Sequence, residues 1–135
     1  MLSEPRWLSL GTVVELNELI VAATGEPHGV LKAPDLDAVC HAPRWLWEYG
    51  EERDLVALAV RLLFGLARCH GFLQGNKRTG FVAAVTFLEL NGWTLSSELD
   101  AGDAFGAFIV DVLTGAASEE AFIEHLRPYI LRYEP

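Results

Sequence analysis

Apolar residues recur three and four positions apart between Asp54 and Cys69 (Leu55, Val56, Leu58, Ala59, Leu62, Leu63, Leu66, Ala67), the spacing that gives a helix one apolar stripe. This predicts an amphipathic helix from Asp54 to about Cys69 with His70 at its end. A second stripe, Phe81, Ala84, Val85, Leu88 and Leu90, runs into Asn91-Gly92, where glycine supplies a helix stop. Gly71 to Gly75 is then a loop between two helices, and Asn76, Lys77 and Arg78 fall in the first turn of the second. Upstream, Thr12 and Glu15 have the spacing of a capping box for a helix through Ala23, ended by Gly25. Pro34 suits the first position of a short helix to about His41. Downstream, Asp100 to Leu113 reads as a helix closed by Gly115, and Ser118 caps a last helix that Pro128 should kink or end. The expectation is all-α: about six helices, no long strand, and a short extended piece within Glu26 to Leu31. No repeat, low-complexity run or long linker divides the chain, so residues 1-135 read as a single compact domain.

Composition adds limits. A chain of 135 residues with 51% hydrophobic content can bury a proper core. A formal net charge of -9 argues against nucleic acid as a partner, because phosphate backbones demand the opposite sign. No apolar run is long enough to span a bilayer, and Met1 to Pro5 lacks the basic start and apolar core of a secretory signal, so the expected setting is cytoplasmic, with no membrane partner. Cys40 and Cys69 show no metal-ligand spacing and are expected to be reduced and structural. As metal ligands, His28 and His41 have no carboxylate or cysteine at helpful spacing and read as structural or exposed, and His125 on the last helix carries no functional claim.

The chemistry concentrates in Cys69-His70-Gly71-Phe72-Leu73-Gln74-Gly75-Asn76-Lys77-Arg78-Thr79-Gly80. Free backbone N–H groups and the positive end of a helix dipole at Asn76 to Arg78 favour an anion. Lys77 adds a mobile point charge and Arg78 a fork that can grip two phosphate oxygens. An imidazole ordinarily titrates near ~6.5, so a histidine in the position of His70 can take a proton from a hydroxyl attacking that phosphate. Phe72, apolar in a polar loop, should plug into the core; Gly71 and Gly75 should allow unusual backbone or close approach of a ligand. Taken singly, each part has a plainer reading: His70 as a cap or surface group, Lys77-Arg78 as a solvated face. Arg61 and Arg68 are further cations for an anionic ligand. Trp45, Trp47 and Tyr49 read as packing, or as the mouth of a nucleotide pocket.

Together these residues resemble the signature of the Fic/Doc (fido) family: His, any residue, Phe, any residue, an acidic residue, Gly or Ala, Asn, then Gly-Arg or Lys-Arg. It stands here as His70, Phe72, Gln74, Gly75, Asn76, Lys77 and Arg78. Gly29 to Arg44, Tyr49-Gly50 with Asp54-Leu55, and Leu88 to Gly92 are similar to further family segments, so the resemblance covers roughly residues 9 to 115. It implies a fido-type helical domain that transfers part of ATP to a protein hydroxyl, with Mg2+ on the phosphates. Lys77 in place of glycine, and Phe81 in place of a second arginine, resemble the Doc branch, the death-on-curing toxins. That branch implies movement of the terminal phosphoryl group onto a threonine of elongation factor Tu. His70 would be the base, Lys77 and Arg78 would stabilise charge, and Gly75, Asn76, Lys77 and Arg78 would hold the nucleotide. Val30 and Leu31 would lie on the family's flap, docking the target segment by main-chain pairing; the same stretch also reads as an ordinary connecting loop.

One position departs from the pattern. Gln74 stands where the family carries an acidic metal ligand, and it offers a carbonyl oxygen without charge. Weaker magnesium binding and weaker activity are expected. AMP transfer, or a nucleotide-binding pseudoenzyme without turnover, remain alternative readings. The chain also lacks the run, Ser or Thr followed four residues later by Glu and then Gly or Asn, by which many Fic proteins block their own motif arginine. That absence implies a separate, Phd-like antitoxin acting near Arg78.

Overall fold

The structure, a computed structural model, describes residues 3–99 and 103–134, without the side chain of Asp103. Its architecture is all-α: α1 (Leu10–Ala23), α2 (Ala33–Tyr49), α3 (Leu55–Cys69), α4 (Asn76–Leu90), α5 (Asp103–Leu113) and α6 (Glu119–Leu126). A 3-10 turn, Arg127–Tyr129, follows α6. Two three-residue strands, β1 (Trp93–Leu95) and β2 (Ile130–Arg132), pair antiparallel with Trp93 opposite Arg132. They are too short to carry an alternation signal and were not among the expected elements.

The central element is α3. Asp54 caps it by accepting from the Val56 N–H, and Val60 and Phe64 are buried along with Val56, Leu58, Ala59, Leu62, Leu63, Leu66 and Ala67. Burial on so wide an arc goes beyond one stripe: α2, α4, α5 and α6 all pack on this helix. The closest approach is to α4, where a Cβ on Gly80 would lie 2.6 Å from the Leu63 carbonyl oxygen, so only glycine lets the two backbones meet. The buried members of α4 are Thr79, Gly80, Ala83, Ala84, Phe87 and Leu88; Leu90, expected inside, is exposed.

Other boundaries differ from the sequence pattern in instructive ways. The first helix begins at Leu10, and the cap is Ser9, whose Oγ accepts from the Thr12 N–H at 3.1 Å; Thr12 is a recipient of capping and not its source. The second helix continues eight residues beyond His41, through an internal Pro43. Leu36, Cys40, Pro43 and Trp47 recur along one buried face, and that burial outweighs the backbone hydrogen bond the proline removes. Trp47 meets Trp7 edge to face at 6.4 Å and carries Arg53 over its ring. The expected start of the fifth helix at Asp100 lies outside the described residues, as do Met1 and Leu2. Ser118 caps α6, which ends at Leu126 just before Pro128. No helix among the described residues is long and apolar enough to cross a membrane.

Candidate active site

His70 closes α3 in the left-handed conformation (φ 50, ψ 43), uncommon outside glycine, and its side chain is exposed. The loop that follows is anchored by Phe72, buried as expected. Asn76 braces the loop: its Oδ1 accepts from the Phe72 N–H at 3.0 Å, and its Nδ2 donates to the Phe72 carbonyl at 2.9 Å. With its side chain so engaged, what Asn76 directs toward an anion is its main-chain N–H. Gly75 precedes α4 at φ +76, and no side chain caps this helix. The main-chain N–H groups of Asn76, Lys77 and Arg78 have no main-chain partner among the described residues. Gly71 does not take a positive φ; a Cβ there would lie 2.3 Å from Leu36 Cγ, so its role is packing rather than room for a ligand.

These elements form a cleft of about 470 Å³ lined by His70, Gln74, Gly75, Asn76, Lys77 and Arg78, with Arg68, Ala67, Leu73 and Leu113 at its sides. Sequence reasoning thus brought together six residues that the fold places around one cavity. Arg68 and Arg61 are less available, since Glu119 pairs with both, at 2.7 and 3.9 Å. Of the two readings of the aromatic group, the cleft mouth does not hold: Trp45 and Tyr49 stack 4.8 Å apart on another face beside Ala42, Arg61 and Gly65, and Trp47 is buried.

The partner of Arg78 was not foreseeable from the chain pattern. Glu26, in the turn after α1, accepts from Arg78 Nη2 at 2.6 Å, and Arg78 Nη1 donates to Thr24 Oγ1 at 3.3 Å. Hydrogen bonds from Thr24 and Arg78 hold the Glu26 carboxyl below the usual carboxylate range. A carboxylate therefore sits on the motif arginine although the expected inhibitory run is absent.

The flap meets the motif loop directly. Val30 pairs antiparallel with Phe72: the Leu31 N–H donates to the Gly71 carbonyl at 2.7 Å and the Leu73 N–H to the Gly29 carbonyl at 2.9 Å. In such a pair the N–H and C=O of Val30 face away from the loop while those of Leu31 face into it. The open main-chain edge therefore belongs to Val30, and Leu31 offers only an exposed side chain. His28 is tied to Asn17, His41 is paired with Asp37, and His125 packs among Phe105, Phe108 and Tyr129. Burial pushes the Cys40 thiol up to about 11 and the Cys69 thiol in the same direction, which suits inert thiols.

A helix–loop–helix that wraps a histidine and an uncapped, cationic helix start around one cleft is the arrangement the motif implied. The Fic/DOC family model matches residues 7–88, more than half of the chain, and the protein belongs to that family. Over 42 residues it is 50% identical to Toxin Doc of Mycolicibacterium smegmatis (strain ATCC 700084 / mc(2)155). That alignment covers 31% of this chain and 32% of the relative, so the similarity spans about a third of the toxin's length.

Proposed function

We propose that this protein is a Doc-type toxin that transfers the terminal phosphoryl group of ATP to a Thr or Ser hydroxyl of a target protein of the elongation factor Tu class. The observation that carries the reading is the single cleft joining His70 to the unpartnered amides of α4 and to Lys77 and Arg78. In this mechanism the amides and Lys77 hold phosphate oxygens, Arg78 stabilises developing charge after leaving Glu26, and His70 takes the hydroxyl proton as oxygen attacks phosphorus in line, the bond from that phosphorus to the bridging oxygen breaking as ADP leaves. Val30 offers its free edge to the target segment.

No cluster of three His, Cys, Asp or Glu side chains among the described residues could hold a resident ion. The exposed Gln74 fits magnesium that arrives on the nucleotide, to which its side-chain carbonyl would add one neutral oxygen. Such an ion would neutralise charge across the phosphates. The setting in this reading is cytoplasmic, where ATP and the target meet.

The partner is a Phd-like antitoxin. An apolar groove of about 500 Å³ between α1, α4 and α5, lined by Ile20, Phe81, Phe105, Ile109 and Val110, ends at Lys77 and Arg78. It suits an amphipathic antitoxin helix bearing an acidic side chain for Arg78.

The test is transfer from ATP labelled separately at the α- and γ-phosphates onto elongation factor Tu and a cell lysate. Label from the γ-position alone, lost in His70→Ala, is expected. Label from the α-position would move the reaction to AMP transfer. No label with nucleotide binding intact would favour a pseudoenzyme.

A further inference from the structure

Asn17, midway along α1, is fully buried, one of two polar residues so placed among the described residues. Its Nδ2 donates to the Gln74 carbonyl oxygen at 2.8 Å and to Thr79 Oγ1 at 3.0 Å, while its Oδ1 lies 2.9 Å from His28 Nδ1. The carbonyl of Gln74 can only accept, so the amide orientation is fixed, Oδ1 faces the imidazole, and Nδ1 of His28 carries the proton. Three elements hang from this one side chain: the motif loop, the first turn of α4 and the start of the flap.

The direction of the Gln74 bond has a consequence inside the cleft. A trans peptide is planar, with its C=O and N–H pointing opposite ways, and the described chain has no cis bond. Drawing the Gln74 carbonyl toward α1 therefore turns the Gly75 N–H away from α1. Gln74, Gly75 and Asn76 line the cleft, and the Gly75 N–H has no main-chain partner among the described residues. Gly75, at φ +76, has a backbone that could turn the other way if the carbonyl were released.

We propose that Asn17 is a positioning residue of the anion site, holding the Gln74–Gly75 peptide so that the Gly75 N–H joins the α4 amides as a phosphate donor. This rests on the reading of the cleft as a polyphosphate site. It differs from a merely structural hydrogen bond because only one of the two Nδ2 bonds sets a donor toward the ligand.

The experiment compares Asn17→Leu, uncharged and similar in size, with Thr79→Val, which removes the other acceptor of Nδ2. Affinity for inorganic triphosphate and for Mg-ATP is measured by calorimetry, and the Gly75 amide resonance is followed in the wild-type protein as triphosphate is added. Asn17→Leu should weaken both ligands about ten-fold, the worth of one charge-assisted hydrogen bond, and Thr79→Val should retain affinity despite a similar fall in melting temperature. Wild-type affinity in Asn17→Leu, or equal losses in both variants, overturns the proposal. Should Asn17→Leu not fold, the wild-type Gly75 resonance decides: movement on adding triphosphate supports the role, and no movement at saturation refutes it. Triphosphate bound through Gly75 without label transfer from ATP would leave Asn17's role standing and remove the proposed reaction. Transfer with an unmoved Gly75 resonance would do the reverse.

Discussion

At Arg78, two acceptors compete for one guanidinium. Glu26 already holds Nη2 at 2.6 Å and is itself held by Thr24, so in the proposed reading a phosphate would have to displace a prearranged carboxylate. Both partners are partly exposed, and such pairs are individually weak, whereas a triphosphate brings several charges. The phosphate should win, at reduced net affinity. Glu26→Gln is thus expected to tighten ATP binding several-fold, read by calorimetry at neutral pH; weaker binding would instead make Glu26 a brace for Arg78. The pH dependence has a definite sign. Because the folded Glu26 carboxyl is depressed, the pair is present above the ordinary Glu value of about 4.3 and is lost as pH falls through the lower folded value. The difference between wild type and Glu26→Gln should persist across neutral pH and close only in acid. None of this was legible in the sequence, where Glu26 and Arg78 stand 52 residues apart and no periodicity links them. The cysteines, by contrast, were read as reduced and structural, and both are free thiols, Cys40 buried and Cys69 partly so. With Cys40 raised to about 11 by burial, labelling by iodoacetamide at pH 8 should be slow in the native protein and fast after unfolding.

Among the elements, the helix–loop–helix of α3 and α4 was readable because its stripes, its Asn-Gly stop and its motif loop all agree locally. The second helix was not, because prolines at its start and interior mimic a short segment and only burial of Leu36, Cys40 and Trp47 carries it through. The cap of α1 was misplaced for a related reason: Ser9 and Thr12 are both good caps, and tertiary anchoring of the preceding segment chose Ser9. The placing of His70 against the α4 start depends on Gly80. Gly80→Ala should gain about 1 kcal/mol of helix propensity. Against that, the new Cβ meets a backbone oxygen at 2.6 Å, and overpacking against rigid backbone costs about 1–3 kcal/mol. The net expectation is destabilisation in urea unfolding, with weaker ATP binding as α3 and α4 move apart. A more stable variant would show that the crossing has slack.

On the scale of the whole molecule, a net charge of -9 opposes a polyanionic ligand, whereas in the proposed reading the cleft would attract it. Distance decides between the two. At physiological ionic strength charges beyond about 8 Å are largely screened, so an acidic side chain farther than that from the cleft acts weakly on it. What acts nearby is the α4 amide cluster and Lys77, which is in no ion pair among the described residues; Arg78 and Arg68 are partly neutralised by Glu26 and Glu119. In the proposed reading these nearby charges would leave a modest positive field for the ligand. ATP affinity should therefore fall a few-fold as salt is raised from low to physiological levels, opposite in sign to what the net charge alone dictates. Glu26→Gln, by freeing one more cation, should bind more tightly and lose affinity more steeply with salt. Affinity that rises with salt would mean that the acidic surface governs nucleotide binding and that the cationic turn is too well compensated to hold a triphosphate.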